Sequence, residues 1–386
     1  MPHQSESGRG KRKRLKWIGA LAVLLIAGVM AFLWNGDVIL FPEKQTATLL
    51  VLEDCDSDFR TPPFEDIVTA FGPSGVWWRT ATNLNICQTV GGGRALAVSA
   101  DGSFFVVCEM VGKHLKAYEM RTGKPLWSVD GEFTAATVHE NGSVYAVISS
   151  GTIYGERTVV IDKTGSITKD GSAAGFDMAL DAERNTLWLV GKHLKKCDLE
   201  LNLIREFSPI KWCGVSVDVN PDGSVWVAER EHPDVAQSTD RIFKVSPEGQ
   251  ILRSVGLEFS PLCLRVDPSD GSVWVTGIGI RTPVAKRILD SIERRTGTLP
   301  LGKTIRAFLT ERRAWSRTHK YDSEGTLLRD VNEGGHSIDI QRSDGSVWVA
   351  GKEKIYRLSC EGTKRARIDG VSAEQKYVVV VPEKLP

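Results

Sequence analysis

The phrase Asp-Gly-Ser-Val-Trp-Val occurs three times in this chain, at 222–227, 270–275 and 344–349. A catalytic centre is built once, so a phrase written three times is the signature of a repeated structural unit. Looser copies precede it. Asp101-Gly102-Ser103-Phe104-Phe105, Asn141-Gly142-Ser143-Val144-Tyr145 and Arg184-Asn185-Thr186-Leu187-Trp188 bring the total to six. Measured between the central turn residues, the spacings are 40, 43, 38, 48 and 74 residues. Four of these fit one four-stranded propeller blade, and the last contains an insertion.

The surroundings repeat as well. A short segment precedes each turn, such as RALAVSA, GVSVDVN or SIDIQRS. After it comes a near-continuous apolar strand, the pattern of a strand buried on both faces. A third strand such as RIFKVS or KIYRLS leads to a second glycine turn, and a fourth such as QILRSVG closes the unit. Asp-Gly and Asn-Gly suit such hairpins because glycine accepts positive φ. The expected fold class is therefore all-β, a β-propeller. The six recurring aromatics, Phe105, Tyr145, Trp188, Trp226, Trp274 and Trp348, are expected to be wedges between blades rather than ligand-binding groups.

The stretch GVSVDVNPDGSVWVAER…DRIFKVSPEGQILRSVG (214–256) resembles an NHL-type repeat, the six-bladed class that includes lactonase-like and streptogramin-lyase-like proteins. The resemblance covers residues 92–370 by repeat logic. It implies six blades, with the N-terminal segment closing the ring. The tails hold further strand material, TATLLVLE and GVWWRT early and KYVVVVP late, which would otherwise make a seventh, composite blade.

Net charge is +1, from 49 basic and 48 acidic residues, which points to no polyanionic partner for the chain as a whole. The distribution is uneven. Residues 1–16 carry a local +5 and 281–317 a local +7. After the basic tail comes WIGALAVLLIAGVMAFLW (17–34), eighteen positions without a charge. A helix of that length is about 27 Å long, close to a bilayer core. The basic residues before it place the N-terminus in the cytoplasm and the rest outside, as a single-pass signal anchor. A cleaved signal peptide is the alternative, and the run through Trp34 is long for one. The resulting division is a basic tail (1–16), an anchor (17–34), linker and closing strands (35–91) and the propeller (92–386). Seven scattered cysteines without a CxxC motif signal no zinc or dithiol site, and their connectivity cannot be read.

In a propeller of this kind the two glycine turns of every blade lie on one face, the turn face. The second-to-third strand loops and the blade-to-blade connections lie on the other, the loop face. Variable material falls on the loop face: 229–240, 149–158 and the insertion 277–317, where Thr282-Pro283 and Thr304 open a predicted helical hairpin. Ligand contacts are therefore expected there, with Arg230, His232 and Lys352 as candidates. The partner expected is a protein, glycan or small molecule, not a nucleic acid, and the chain reads as a binding or scaffold module. The alternative is a lyase or lactone hydrolase at the channel mouth, with Glu229 and His336 as catalytic residues and a divalent cation as cofactor. Asn141-Gly142, the Asn-Gly pair within the repeats, falls in a structural turn, which weakens the lactonase likeness. A calcium loop over 54–65 would use Asp54, Asp56, Asp58 and Glu65, but Phe59 stands where glycine is needed.

Overall fold

The computed structural model describes residues 49–54, 66–72, 75–82, 94–109, 113–149, 156–211, 213–230, 240–280, 314–351, 354–368 and 374–382. Every regular element among them is a β-strand, and they form seven four-stranded antiparallel sheets. Blade I is composite: β1 (Leu49–Asp54), β2 (Asp66–Gly72) and β3 (Gly75–Thr82) join the last strand, β28 (Glu374–Val380). Blade II is β4 (Leu96–Val98), β5 (Phe104–Glu109), β6 (His114–Glu119) and β7 (Pro125–Asp130). Blade III is β8 (Glu132–Val138), β9 (Val144–Ser149), β10 (Arg157–Ile161) and β11 (Ile167–Gly171). Blade IV is β12 (Asp177–Asp181), β13 (Thr186–Val190), β14 (Leu194–Asp198) and β15 (Leu203–Phe207). Blade V is β16 (Cys213–Val219), β17 (Val225–Arg230), β18 (Arg241–Val245) and β19 (Ile251–Gly256). Blade VI is β20 (Ser260–Val266), β21 (Val273–Ile280), β22 (Ala314–Tyr321) and β23 (Leu327–Val331). Blade VII is β24 (Ser337–Gln341), β25 (Ser346–Gly351), β26 (Lys354–Leu358) and β27 (Lys364–Ile368).

The inner strands β28, β4, β8, β12, β16, β20 and β24 contact one another in that order, and β24 returns to β28. The ring is closed with seven blades, which corrects the six expected from the repeat. The extra blade holds the tail strands. Its inner strand β28 pairs with β1 from the far end of the chain, Leu50 opposite Val379 and Val51 opposite Val378. The first and last strands thus clasp the circle without a covalent link.

The recurring phrase does three jobs in the blades that carry it. The Asp carboxylate folds the turn: Asp222 accepts from the Ser224 amide at 2.8 Å, and Asp270 and Asp344 do the same for Ser272 and Ser346. Asn141 takes this role in blade III, accepting from the Ser143 amide. Glycine follows because the next residue sits at positive φ, 83° at Gly223. In the loosest copy Asn185 occupies that place at 51°, a region that Asn tolerates better than other side chains.

The aromatic is the wedge. Trp188, Trp226, Trp274 and Trp348 are all at most 1 % exposed. Three of them pack into a cluster with the following blade: Trp226 with Leu264 and Val273 of blade VI, Trp274 with Ile338 and Val347 of blade VII, Trp348 with Leu49 and Val51 of blade I. Opposite the wedge on the third strand stands a basic residue: Lys244, Lys320 or Arg357. Lys320 and Arg357 lie over the ring at 5.4 and 5.7 Å. The same three cations reach the turn carboxylates Asp222, Asp270 and Asp344. Turn, wedge and third strand are thereby tied together by one carboxylate–cation–indole unit.

Several expectations lie outside the described residues: the apolar run 17–34, the calcium loop beyond Asp54, and the helices of the insertion. Among the described residues no helix is long and apolar enough to cross a membrane. The insertion joins β21 to β22, so it leaves the ring on the loop face. Its ends lengthen the hairpin, with Ile280 opposite Ala314 and Gly279 opposite Trp315. Trp315, which falls inside the predicted hairpin segment 277–317, is therefore a strand residue, because the ladder continues past Gly277.

Candidate functional site

The inner strands line the central channel, and among the described residues four of the seven carry charges there. Opposite the wedge aromatic, the inner-strand residue is Val98, Thr137 and Ala179 in blades II to IV. It becomes Asp218, Arg265 and Asp339 in blades V to VII. Asp177 stands two residues earlier on β12, and Arg94 lies just before β4. Arg94 donates to the Asp218 carboxylate at 2.5 Å and to the Val217 carbonyl at 3.3 Å, and its backbone N–H donates to Asp177. Arg265 lies 3.9 Å from Asp339 and donates to the Leu264 carbonyl.

The three carboxylates share a second function. Each accepts a backbone N–H from the inner strand of the next blade: Asp177 from Val217, Asp218 from Val266, and Asp339 from Val380 at the ring closure. Strands of neighbouring blades do not hydrogen-bond as a ladder, so such side-chain acceptors satisfy amides that would otherwise be stranded. Ser216 extends the pattern by donating to Asp177 and accepting from the Leu264 amide.

Burial pushes the Asp177 and Asp339 carboxyls up, against the pull of Arg94 and Arg265. Burial works against charge on Arg265 too, but Cys263 and the three aspartates outweigh it, and its pKa lies above the ordinary value. Two guanidinium groups and three carboxylates form a partly accessible polar wall. Side-chain exposure is 18 % for Arg94 and Asp218 and 23 % for Asp339, while Asp177 is sealed. Such a wall can recognise a polar ligand by paired donors and acceptors. Among the described residues no group of three or more His, Cys, Asp or Glu side chains is placed to hold a metal ion.

The candidates from sequence fall elsewhere. Glu229 is not in a loop. It is a β17 residue, 1 % exposed, whose carboxylate accepts from the Lys211 amide at 2.5 Å and from Arg241 Nε at 2.6 Å. Arg241 also donates to the Pro209 carbonyl and lies over the Phe243 ring. The sequence placed Glu229 at the start of the 229–240 connection, but the ladder runs on through it, with Glu229 opposite Arg241. His336, half-buried before β24, donates its backbone N–H to the Ala350 carbonyl. Both residues lie toward the loop face, but on blades V and VII with blade VI between them. Arg230 ends β17 on that face, half-buried. His232 and Lys352 lie outside the described residues.

Sequence reading missed the channel charges, although the signal was there. GVSVDVN, LCLRVDP and SIDIQRS each carry a charge in a strand that a propeller buries at its centre. Also unforeseen was the buried His319, whose ring stands between the Tyr321 hydroxyl and Asp330 inside blade VI, at 2.9 and 3.2 Å. Burial holds its pKa below the ordinary histidine value.

No protein-family model and no curated protein matches the chain. Solved structures do. Hydrazine synthase of Kuenenia stuttgartiensis is similar over 70 % of this chain and 77 % of that one, at 12 % identity and a TM-score of 0.55. The WD40 β-propeller domain of Doa1 is similar over 79 % and 93 %, at 14 % identity and a TM-score of 0.50. The likeness is one of fold. At these identities it confirms a β-propeller and carries no activity across.

Proposed function

We propose that the chain is a membrane-anchored propeller held outside the cytoplasm, acting as a binding or scaffold module that takes its ligand on the loop face at the channel mouth. The observation that carries this reading is the division of labour between the two faces. On the turn face, the Asp, Ser and Gly residues are consumed in folding the hairpins and bracing the wedges. The loop face carries the connections of unequal length and the root of the insertion between Ile280 and Ala314, and it holds Arg230 at the end of β17. The ligand class is a polar protein segment, a glycan or a small polar molecule, able to pair with guanidinium and carboxylate groups. The NHL-type likeness speaks to the fold and adds no chemistry. No observation favours the metal-dependent lyase or lactone hydrolase, since Glu229 is committed to Arg241 and lies a blade away from His336.

The test uses the full chain in detergent against an array of neutral and charged glycans and peptides. Binding that is lost in Arg230→Ala and retained in Asp101→Asn supports the reading. Binding that is lost only in the turn-face variant overturns it. Anchoring is read separately: the chain should stay in the membrane fraction after a high-salt wash, and release of a soluble form beginning near Phe32 would contradict it.

A further inference from the structure

The outer strand of every blade carries one extra residue relative to the third strand, at the same height. The register slips in all seven sheets just after the third-to-fourth strand turn. Bulges of this kind blunt an exposed sheet edge and turn the extra side chain outward. They do not dictate which side chain that is. In blades III and VII it is Thr168 and Arg365, so polar residues fit the position. In the other five it is Trp77, Leu126, Ile204, Leu252 or Leu328, each between 42 and 55 % exposed. Val76, Leu203, Ile251 and Leu327, next to four of them, are exposed as well. Edge protection alone favours Lys or Arg here, so a rim of aliphatic and indole groups needs another cause.

Chain topology supplies it. These residues follow the third-to-fourth strand turns, so all lie at the edge of the turn face. β1 begins on that face too, because Leu49 pairs with Val380 at the end of β28 that the Asp339 carboxylate reaches. Between Trp34, the end of the apolar run, and Leu49 there are fourteen residues, a tether of at most about 50 Å when fully extended. We infer that the turn-face rim rests on a lipid bilayer, with the bulge residues entering the headgroup region and the loop face turned away from it. This rests on the anchoring proposed above. Trp and aliphatic side chains suit that interface. The turns on this face carry both signs, Asp101, Glu140, Glu248 and Glu361 with Arg121, Lys163 and the bulge residue Arg365, and Glu324 is paired with Arg253, so no basic cluster is there to draw anionic lipid. The surface that fits is therefore zwitterionic, of the phosphatidylcholine type.

The experiment reconstitutes the full chain in phosphatidylcholine vesicles doped with a photoactivatable phosphatidylcholine and maps the cross-linked peptides. Expected are cross-links in 17–34 and in the peptides holding Trp77, Leu126, Ile204, Leu252 and Leu328, with none on the loop-face ends of the strands. The propeller cross-links should fall at least fivefold in the triple variant Ile204→Glu, Leu252→Glu, Leu328→Glu, and should not rise when a third of the lipid is phosphatidylserine. Cross-links in 17–34 should survive both changes. Labelling confined to 17–34, or labelling of the propeller on its loop face, overturns the docking inference and leaves the anchor standing. Absence of labelling in 17–34 overturns the anchor itself.

Discussion

Replacing Glu229 by alanine separates the two accounts of that residue sharply. The carboxylate is 1 % exposed and accepts two charge-assisted hydrogen bonds, from the Lys211 amide and from Arg241. Bonds to a charged group contribute about 1.5–3 kcal/mol each, and breaking a buried pair from one side costs about 3–5 kcal/mol. Arg241 keeps the Pro209 carbonyl and is 16 % exposed, which favours the lower half of that range. With an unfolding entropy of about 2.1 cal/mol/K per residue over the roughly 330 residues from β1 to β28, the loss amounts to a fall in Tm of about 4–6 °C. Glu229→Gln keeps an acceptor for the Lys211 amide and should lose about half as much. Removing Arg241 as well should recover part of the loss, since no charge is then left unpaired. Near-ultraviolet circular dichroism during heating, with a refolding check, reads all three. A Glu229→Ala protein that melts within about 1 °C of wild type would refute the assignment of Glu229 to the blade's structure.

Trp226→Ala removes a fully buried indole whose Nε1–H has no hydrogen-bond partner among the described residues, so the cost is packing alone, about 3–5 kcal/mol. A stable Trp226→Ala protein in chemical denaturation would mean that the wedge reading fails at that position. Acid should weaken the fold below about pH 4. At Asp222, Asp270 and Asp344 partial burial raises the pKa, but the serine hydroxyl and amide, with the cation opposite, outweigh it and leave the carboxyl below its ordinary value. Their stabilisation is present above the ordinary pKa and disappears as pH falls through the lowered ones, while Asp177 and Asp339, raised by burial, contribute in the opposite sense. The triple change to Asn at 222, 270 and 344 should flatten the fall in denaturation midpoint, because Asn141 shows that an amide folds the same turn without titrating; an unchanged slope would remove these carboxylates from the explanation.

The wedge aromatics and glycine turns were legible because each is a local requirement that recurs in sequence. The composite blade was not, because the features that mark a blade are missing from it. No turn joins β28 to β1, and Leu50 stands where other blades place an aromatic, opposite Val379. What remained of the signal was strand-like composition at both ends, which is equally consistent with six blades and with seven. The channel wall was hidden for another reason. A single Asp or Arg in an apolar segment has meaning only when the segment's place in the ring is known, and that place depends on pairing between distant blades. The rim of bulge residues needed the register itself, since QILRSVG and TLLRDV read as plain strands until one residue of each proves to have no opposite number.

Everything proposed for the two faces depends on the ring being closed by the chain's two ends. The most direct test is a disulfide engineered across that clasp, with Leu50→Cys and Val379→Cys in one chain. Residues directly opposite in an antiparallel pair have Cα atoms about 4.5–5.5 Å apart, within the span of a disulfide. The seven-bladed account predicts that mild oxidation of the folded protein joins positions 50 and 379 within one chain, seen by peptide mapping, and raises the unfolding midpoint. Failure of that bond to form, with residues 45–91 open to protease while the rest stays folded, would contradict it and return the ring to six blades.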